Sequence, residues 1–410
     1  MNNFNVIEGG VTMPKGFQAA SHAAGIKYQG RTDMALVYSD ELCDAAGVYT
    51  SNVVKAAPVL WDKAITDSDN KVRAIVVNSG IANACTGEPG MHICEATGQA
   101  VADITGDDCK NVLVGSTGVI GMQIDENKIV AGTKELMSKK AYGMEAGEAA
   151  SKAIMTTDTH NKQIAVTFDI AGTKVTMGAM CKGSGMIHPN MCTMLGYVTT
   201  DLSIDKTLLQ KALSKVVVDT FNMITVDGDT STNDTLIVLA NGMAGNSKIT
   251  AENEDYKVFE EALYYVCEYL AKQMAGDGEG ATALFEAKIV NARSKADARL
   301  MARSVVGSSL SKAAIFGHDA NFGRFLCAMG YSGAIFDQAD VELFFESKSG
   351  KIKVFDRGVA TAYSEEEATK ILSEKEVTIL IDMHEGNATA TAWGCDLSYD
   401  YVKINADYRS

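Results

Sequence analysis

Proline is scarce in this chain of 410 residues, with 4 in all, so no Pro-rich linker is expected. An excess of positive charge is also lacking: 37 Lys and Arg stand against 52 Asp and Glu, a net charge of −15. Nucleic acid needs a basic face to neutralise its phosphates, so neither nucleic acid nor a polyanionic membrane surface is an expected partner. Local basic groups can still bind a small anion. No apolar run reaches the roughly 18 residues of a membrane-spanning helix. The N-terminal MNNFNVIEGG lacks the basic stretch and apolar core of a secretory signal. The 9 cysteines are odd in number and none are spaced CxxC. They read as reduced thiols in a cytoplasm, mostly buried as small hydrophobes. The 6 histidines show no HxxxH spacing, and no metal site is expected.

What is present is apolar mass and glycine. The chain is 46% hydrophobic, ample for a large buried core and for two or more structural lobes. Its 37 glycines imply many tight turns and close backbone approaches. Strand-like and helix-like stretches alternate, which predicts an α/β or α+β protein. RAIVVNSG (73–80) reads as a buried strand, 88–105 as a helix, and NVLVGSTGVIG (111–121) as a strand entering a Gly-rich turn. Residues 163–172 and 173–183 read as a hairpin turning at Ala171–Gly172, and 191–201 as a strand. In 205–220, Leu208, Leu209, Ala212, Leu213 and Val216 follow the i, i+3, i+4 pattern of a helix. Strands are expected at 235–241, 285–292, 340–346, 351–355, 376–383 and 387–395, with a long helix over 255–275. YVKINADY (401–408) alternates apolar and polar residues, and a strand is expected there too.

The most unusual stretch is CKGSGMIHPNMCTML (181–195). Gly183, Ser184 and Gly185 make one flexible turn, and Pro189 and Asn190 make a second. Thr193 then stands at the start of a strand. A Thr entering a strand is ordinarily just a good β-former. A chemical role is nevertheless coherent. A threonine hydroxyl is a poor nucleophile at neutral pH without a base. If the chain were cut before Thr193, the freed α-amine, with a reference pKa of about 7.7–8, would supply that base on the same residue.

From GGVTMPKGF (9–17) to YVKINADYRS (401–410), the chain resembles the ornithine acetyltransferase family. The resemblance rests on NSGIANACTG (78–87), GSTGVIG (115–121), MTTDT (155–159), KGSGMIHPNMCTMLGYVTTD (182–201), TVDGDTSTND (225–234), GDGEGAT (276–282) and GHDANFGR (317–324), in that order. It implies an α/β sandwich of the self-processing N-terminal-nucleophile, aminopeptidase-like type, with sheets between helix layers and the cut at the start of a central strand. The cut would fall between Cys192, where the family usually has Ala, and Thr193. It would give an α chain, 1–192, and a β chain, 193–410, assembled as two of each. The resemblance assigns Thr193 as nucleophile and Thr117 and Gly118 as the donors to the tetrahedral oxyanion. It assigns substrate contacts to Thr156, Lys182, Thr193, Glu279, Asn405 and the terminal Ser410, where many relatives have Thr. Lys182 suits an α-carboxylate and Glu279 a side-chain ammonium.

The implied reaction is ping-pong acetyl transfer from N2-acetyl-L-ornithine to L-glutamate, in the cyclic route of arginine biosynthesis, with no metal or organic cofactor. Some members also take the acetyl group from acetyl-CoA. The rival expectations are a self-processing aminopeptidase or amide hydrolase, in which water is the acceptor, and a binding protein that has lost processing. GHDANFGR, with Ala320 and Phe322 where the family has Pro and Trp, reads as structural support. NSGIANACTG reads as a Gly/Asn turn packed by the oxyanion loop.

Overall fold

Strand β4 (Val72–Ile81) alternates its side chains between two cores. Ile75 and Val77 enter one apolar cluster, and Ala74 and Val76 enter another. That is the two-residue period of a strand covered on both faces. The structure, a computed structural model, describes residues 3–188 and 194–406; Cys192, Thr193 and Ser410 lie outside the described residues. Those described fall into two compact units. One takes in 3–183, 194–218 and 230–270, the other 184–188, 219–229 and 271–406. Residues on both sides of the 192/193 border contribute to each unit.

The first unit holds a nine-stranded sheet. Besides β4, its strands are β1 (Phe4–Ile7), β2 (Phe17–His22), β3 (Met34–Tyr49), β5 (Val112–Val119), β6 (Lys162–Ile170), β7 (Thr173–Lys182), β8 (Leu195–Thr200) and β10 (Thr235–Ala240). The order is β1-β6-β7-β8-β10-β3-β4-β5, with β2 paired to β3. The hairpin β6–β7 turns at Ala171 and Gly172, both at positive φ. β8 runs antiparallel to β7 and parallel to β10. All six residues of β8 and of β10 are buried, as the apolar run TLIVLA requires of a central strand. The expected helix in 205–220 forms over Lys206–Val216, with the Asp205 carboxylate accepting from Thr207 N, and it buries Leu209, Ala212, Leu213 and Val216.

The second unit holds a seven-stranded sheet of β9 (Ile224–Thr225), β11 (Leu284–Ala292), β12 (Glu342–Ser347), β13 (Gly350–Asp356), β14 (Val359–Ala360), β15 (Glu376–Asp382) and β16 (Ala388–Cys395). Phe285, Phe325 and Phe345 pack edge-on at 5.7–5.9 Å in its core.

Residues 401–406 of the tail are not a strand. Tyr399–Ala406 is a helix with most of its side chains in water. Alternating apolar residues specify a strand only where a sheet receives one face of them. Here local bonding wins, including Asn405 Nδ2 donating to the Tyr401 carbonyl one turn back (3.0 Å). Among the described residues, no helix is long and apolar enough to cross a membrane.

Candidate active site

Parallel strands β4 and β5 run side by side to their C-terminal ends, where Ser79 pairs with Thr117 and Gly80 with Gly118. Gly118 has φ +129°, and a Cβ there would lie 2.2 Å from the Gly80 carbonyl carbon. Only glycine fits this close approach of two backbones. The turn is fastened on both sides. Ser116 Oγ donates to Asn78 Oδ1 (2.7 Å), whose Nδ2 donates to the Ile81 carbonyl (2.9 Å). Ala82 N donates to the Val119 carbonyl (2.9 Å), and Gly121 N to that of Ala84 (3.0 Å). The NSGIANACTG segment therefore packs against the Thr117–Gly118 turn, as expected. Thr117 and Gly118 are half-buried, reachable from solvent yet rigidly framed.

In the same unit, the start of β6 and the end of β7 meet a carboxylate that the sequence reading passed over. Asp158 Oδ1 accepts from Lys162 Nζ (2.8 Å) and Gly183 N (2.7 Å). Its Oδ2 accepts from Thr156 N (3.0 Å) and lies 4.0 Å from Lys182 Nζ. Burial would raise this carboxyl, but Lys182 and Lys162, with the hydrogen bonds from Lys162 and Thr156, outweigh it. They hold Asp158 well below the usual carboxylate range. Two of the expected substrate contacts, Thr156 and Lys182, are thus brought together by Asp158. The signal was present in MTTDT: two lysines destined for burial need a buried counter-charge, and Asp158 stands four residues before Lys162.

The second unit brings Glu279 and Asn405 together. Asn405 Nδ2 donates to Glu279 Oε2 at 2.7 Å. Glu279 is buried, its N–H donates to the Ser184 carbonyl (3.1 Å), and its carboxylate lies against Gly185. A Cβ on Gly185 would stand 2.3 Å from the Glu279 carboxyl carbon, so the KGSG glycine is the space the acid occupies. Asp227, also passed over in the sequence reading, accepts from Met186 N (2.6 Å) and Ile187 N (2.9 Å). Burial raises the Asp227 carboxyl against those N–H donors. His188 sits between Thr225 Oγ1, 3.0 Å from Nδ1, and Arg303, 3.0 Å from Nε2. A guanidinium only donates, so Nε2 accepts and the proton of the neutral ring is on Nδ1. Burial, then the Arg303 charge, push this imidazole down to about 4.

Phe322–Gly330 is a short helix, and Arg324 donates to the Leu310 carbonyl (3.2 Å) while Tyr363 donates to that of Ala320 (3.2 Å).

The ArgJ family model matches residues 18–410. The arginine biosynthesis bifunctional protein ArgJ of Symbiobacterium thermophilum is 50% identical over 406 residues, 98% of this chain and 99% of its own. That of Caldanaerobacter subterraneus subsp. tengcongensis is 48% identical over 405 residues, 99% of this chain and 100% of its own. The crystal structure of arginine biosynthesis bifunctional protein argJ from Bacillus halodurans is 48% identical, with a TM-score of 0.49, and covers 51% of this chain and 97% of its own. Matched from residue 18 to its last by the family model, and about half identical to relatives along almost its whole length, the chain belongs to the ArgJ family.

Proposed function

We propose that this protein is a glutamate N-acetyltransferase of arginine biosynthesis, moving acetyl from N2-acetyl-L-ornithine to L-glutamate through an acetyl-Thr193 ester. The observation that carries the reading is the match to the ArgJ family over nearly the whole chain. Within the chain, Lys182, a buried cation beside Asp158, has the charge to take an α-carboxylate, and Glu279, a buried anion held by Asn405, the charge to take an ammonium.

The chain first cuts itself between Cys192 and Thr193, and the new α-amine becomes the base. Thr193 Oγ attacks the acetyl carbonyl while that amine takes the hydroxyl proton. Thr117 Oγ and Gly118 N–H stabilise the oxyanion. The C–N bond breaks, the proton passes to the departing amine, and ornithine leaves. Glutamate's amine then attacks the ester, its proton goes back through the Thr193 amine, and N-acetylglutamate leaves. Each step is redox-neutral and calls for no metal or organic cofactor. Thr156, Asn405 and Ser410 complete the substrate contacts. Acetyl-CoA serves as a second donor, a reading supported by the word "bifunctional" in the relatives' name. The two chains, 1–192 and 193–410, assemble as two of each in the cytoplasm.

The test mixes enzyme with N2-acetylornithine, with and without glutamate, and follows ornithine, acetate and N-acetylglutamate. Glutamate-dependent ornithine release with stoichiometric N-acetylglutamate is expected. Equal ornithine release in both, with acetate as the only acetyl product, would show a hydrolase instead. Denaturing mass measurement of the same preparation should give two chains divided after Cys192, and Thr193→Ala a single one.

A further inference from the structure

Asn233 lies in the turn before β10, buried, with every polar group of its amide engaged. Nδ2 donates to two carbonyls, that of Ala82 (2.6 Å) and that of Ser116 (2.8 Å). Oδ1 accepts from Thr232 Oγ1 (2.6 Å). Two carbonyl acceptors admit only a donor between them, so the amide's orientation is set by its surroundings.

These two carbonyls bracket the Thr117–Gly118 turn. The Ser116 carbonyl belongs to the peptide group that ends at Thr117 N. A peptide is planar, so fixing the carbonyl fixes that plane and with it the entry to Thr117. Ala82 holds the exit, since its N–H donates to the Val119 carbonyl (2.9 Å). One side chain therefore ties both flanks of the turn to a third strand. Thr235, two residues on, donates its N–H to the Met194 carbonyl (2.7 Å), where β10 pairs with β8.

We infer that Asn233 is a positioning residue for acetyl transfer, orienting Thr117 and Gly118 through the Ser116 and Ala82 carbonyls without touching substrate. The inference rests on the reading of Thr117 and Gly118 as the oxyanion donors. Asp cannot replace Asn233, because a carboxylate would face two carbonyl oxygens. Ala leaves both carbonyls buried without their donor.

The experiment is a double-mutant cycle of Asn233→Ala and Thr117→Ala in the full-length, self-processed enzyme. It reads kcat and KM for N2-acetylornithine, normalised to the ornithine released in the first turnover so that only competent sites count. Asn233→Ala should lower kcat by about 10²–10³, the loss typical of one oxyanion donor, with KM changed less than about three-fold. Its penalty should shrink by at least about five-fold once Thr117 is alanine, because the two act through one turn. Asn233→Asp should be slower than Asn233→Ala. Should the alanine variant fail to fold, Asn233→Ser, which keeps a single donor, takes its place in the cycle. Equal penalties in both backgrounds, or a change confined to KM, would overturn the positioning role. Full activity of Thr117→Ala alone would instead sink the oxyanion reading beneath it.

Discussion

Asp158 makes the strongest quantitative claim on the structure. Its side chain and that of Lys162 are fully out of solvent, and Lys182 is 9% exposed. Asp158→Asn keeps the shape and removes the negative charge that both the Lys162 and Lys182 ammoniums face. It also turns an NH2 towards donors: whichever way the amide lies, it opposes either Lys162 Nζ and Gly183 N or Thr156 N. Removing one member of a buried ion pair costs about 3–5 kcal/mol, roughly two to nearly four decades in the ratio of folded to unfolded protein. The assay is denaturant unfolding in the Thr193→Ala background, where every variant is expected to be one chain. Asp158→Asn should lose stability within that range. Adding Lys162→Met should recover at least half the loss, since one stranded charge is then replaced by an apolar chain of similar length. In processed enzyme, the displaced Lys182 should raise KM for glutamate. An Asp158→Asn variant within about 1 kcal/mol of its parent would refute the argument, because the carboxylate would then not be offsetting two buried cations.

Gly118→Ala should lower kcat at least about 100-fold and destabilise the fold by about 1–3 kcal/mol, since its φ of +129° and the Gly80 backbone both reject a methyl group; normal turnover with a normal unfolding midpoint would contradict the described turn. His188 gives a pH signature. Its imidazole is held at about 4 in the fold and returns to about 6.5 when unfolded. The stability it contributes is therefore fully present above pH 6.5 and lost as pH falls through 4. His188→Gln should flatten the fall in unfolding midpoint across that window by up to about one proton's worth of slope, less whatever solvent screens at this partly exposed ring; parallel wild-type and variant curves would show that His188 does not titrate as described.

Much of the frame was legible because its signals are local. The buried run of β4, the Lys206–Val216 helix and the β6–β7 hairpin each follow from period or turn chemistry within a dozen residues. The Gly-rich turn was read from the residues; Thr117, Gly118, Glu279 and Asn405 were singled out through family resemblance, and neither the Glu279–Asn405 hydrogen bond nor the groups that frame the turn were foreseen. Asp158, Asp227 and Asn233 act on backbone 25 to 151 residues away, or on lysines whose burial only the fold reveals. Sequence patterns carry residue type and spacing, but not which buried donor will need an acceptor. The tail failed for the converse reason: its alternation was real, but residues 399–406 lie in a helix and join neither sheet.

The strand order of the nine-stranded sheet has a bearing on what a cut chain can do. β8 and β10, from beyond residue 193, sit between β7 and β3, both from before it. Were the backbone severed before Thr193, as proposed, the two products would remain laced through one another along the middle of a continuous hydrogen-bonded ladder. Pulling them apart would strip both flanks of the pair β8–β10 and open two raw edges in the remainder. Processing on this topology would be a nick rather than a separation. A gene supplying residues 1–192 alone would yield a sheet with its centre missing, and adding the other half later would demand refolding rather than docking.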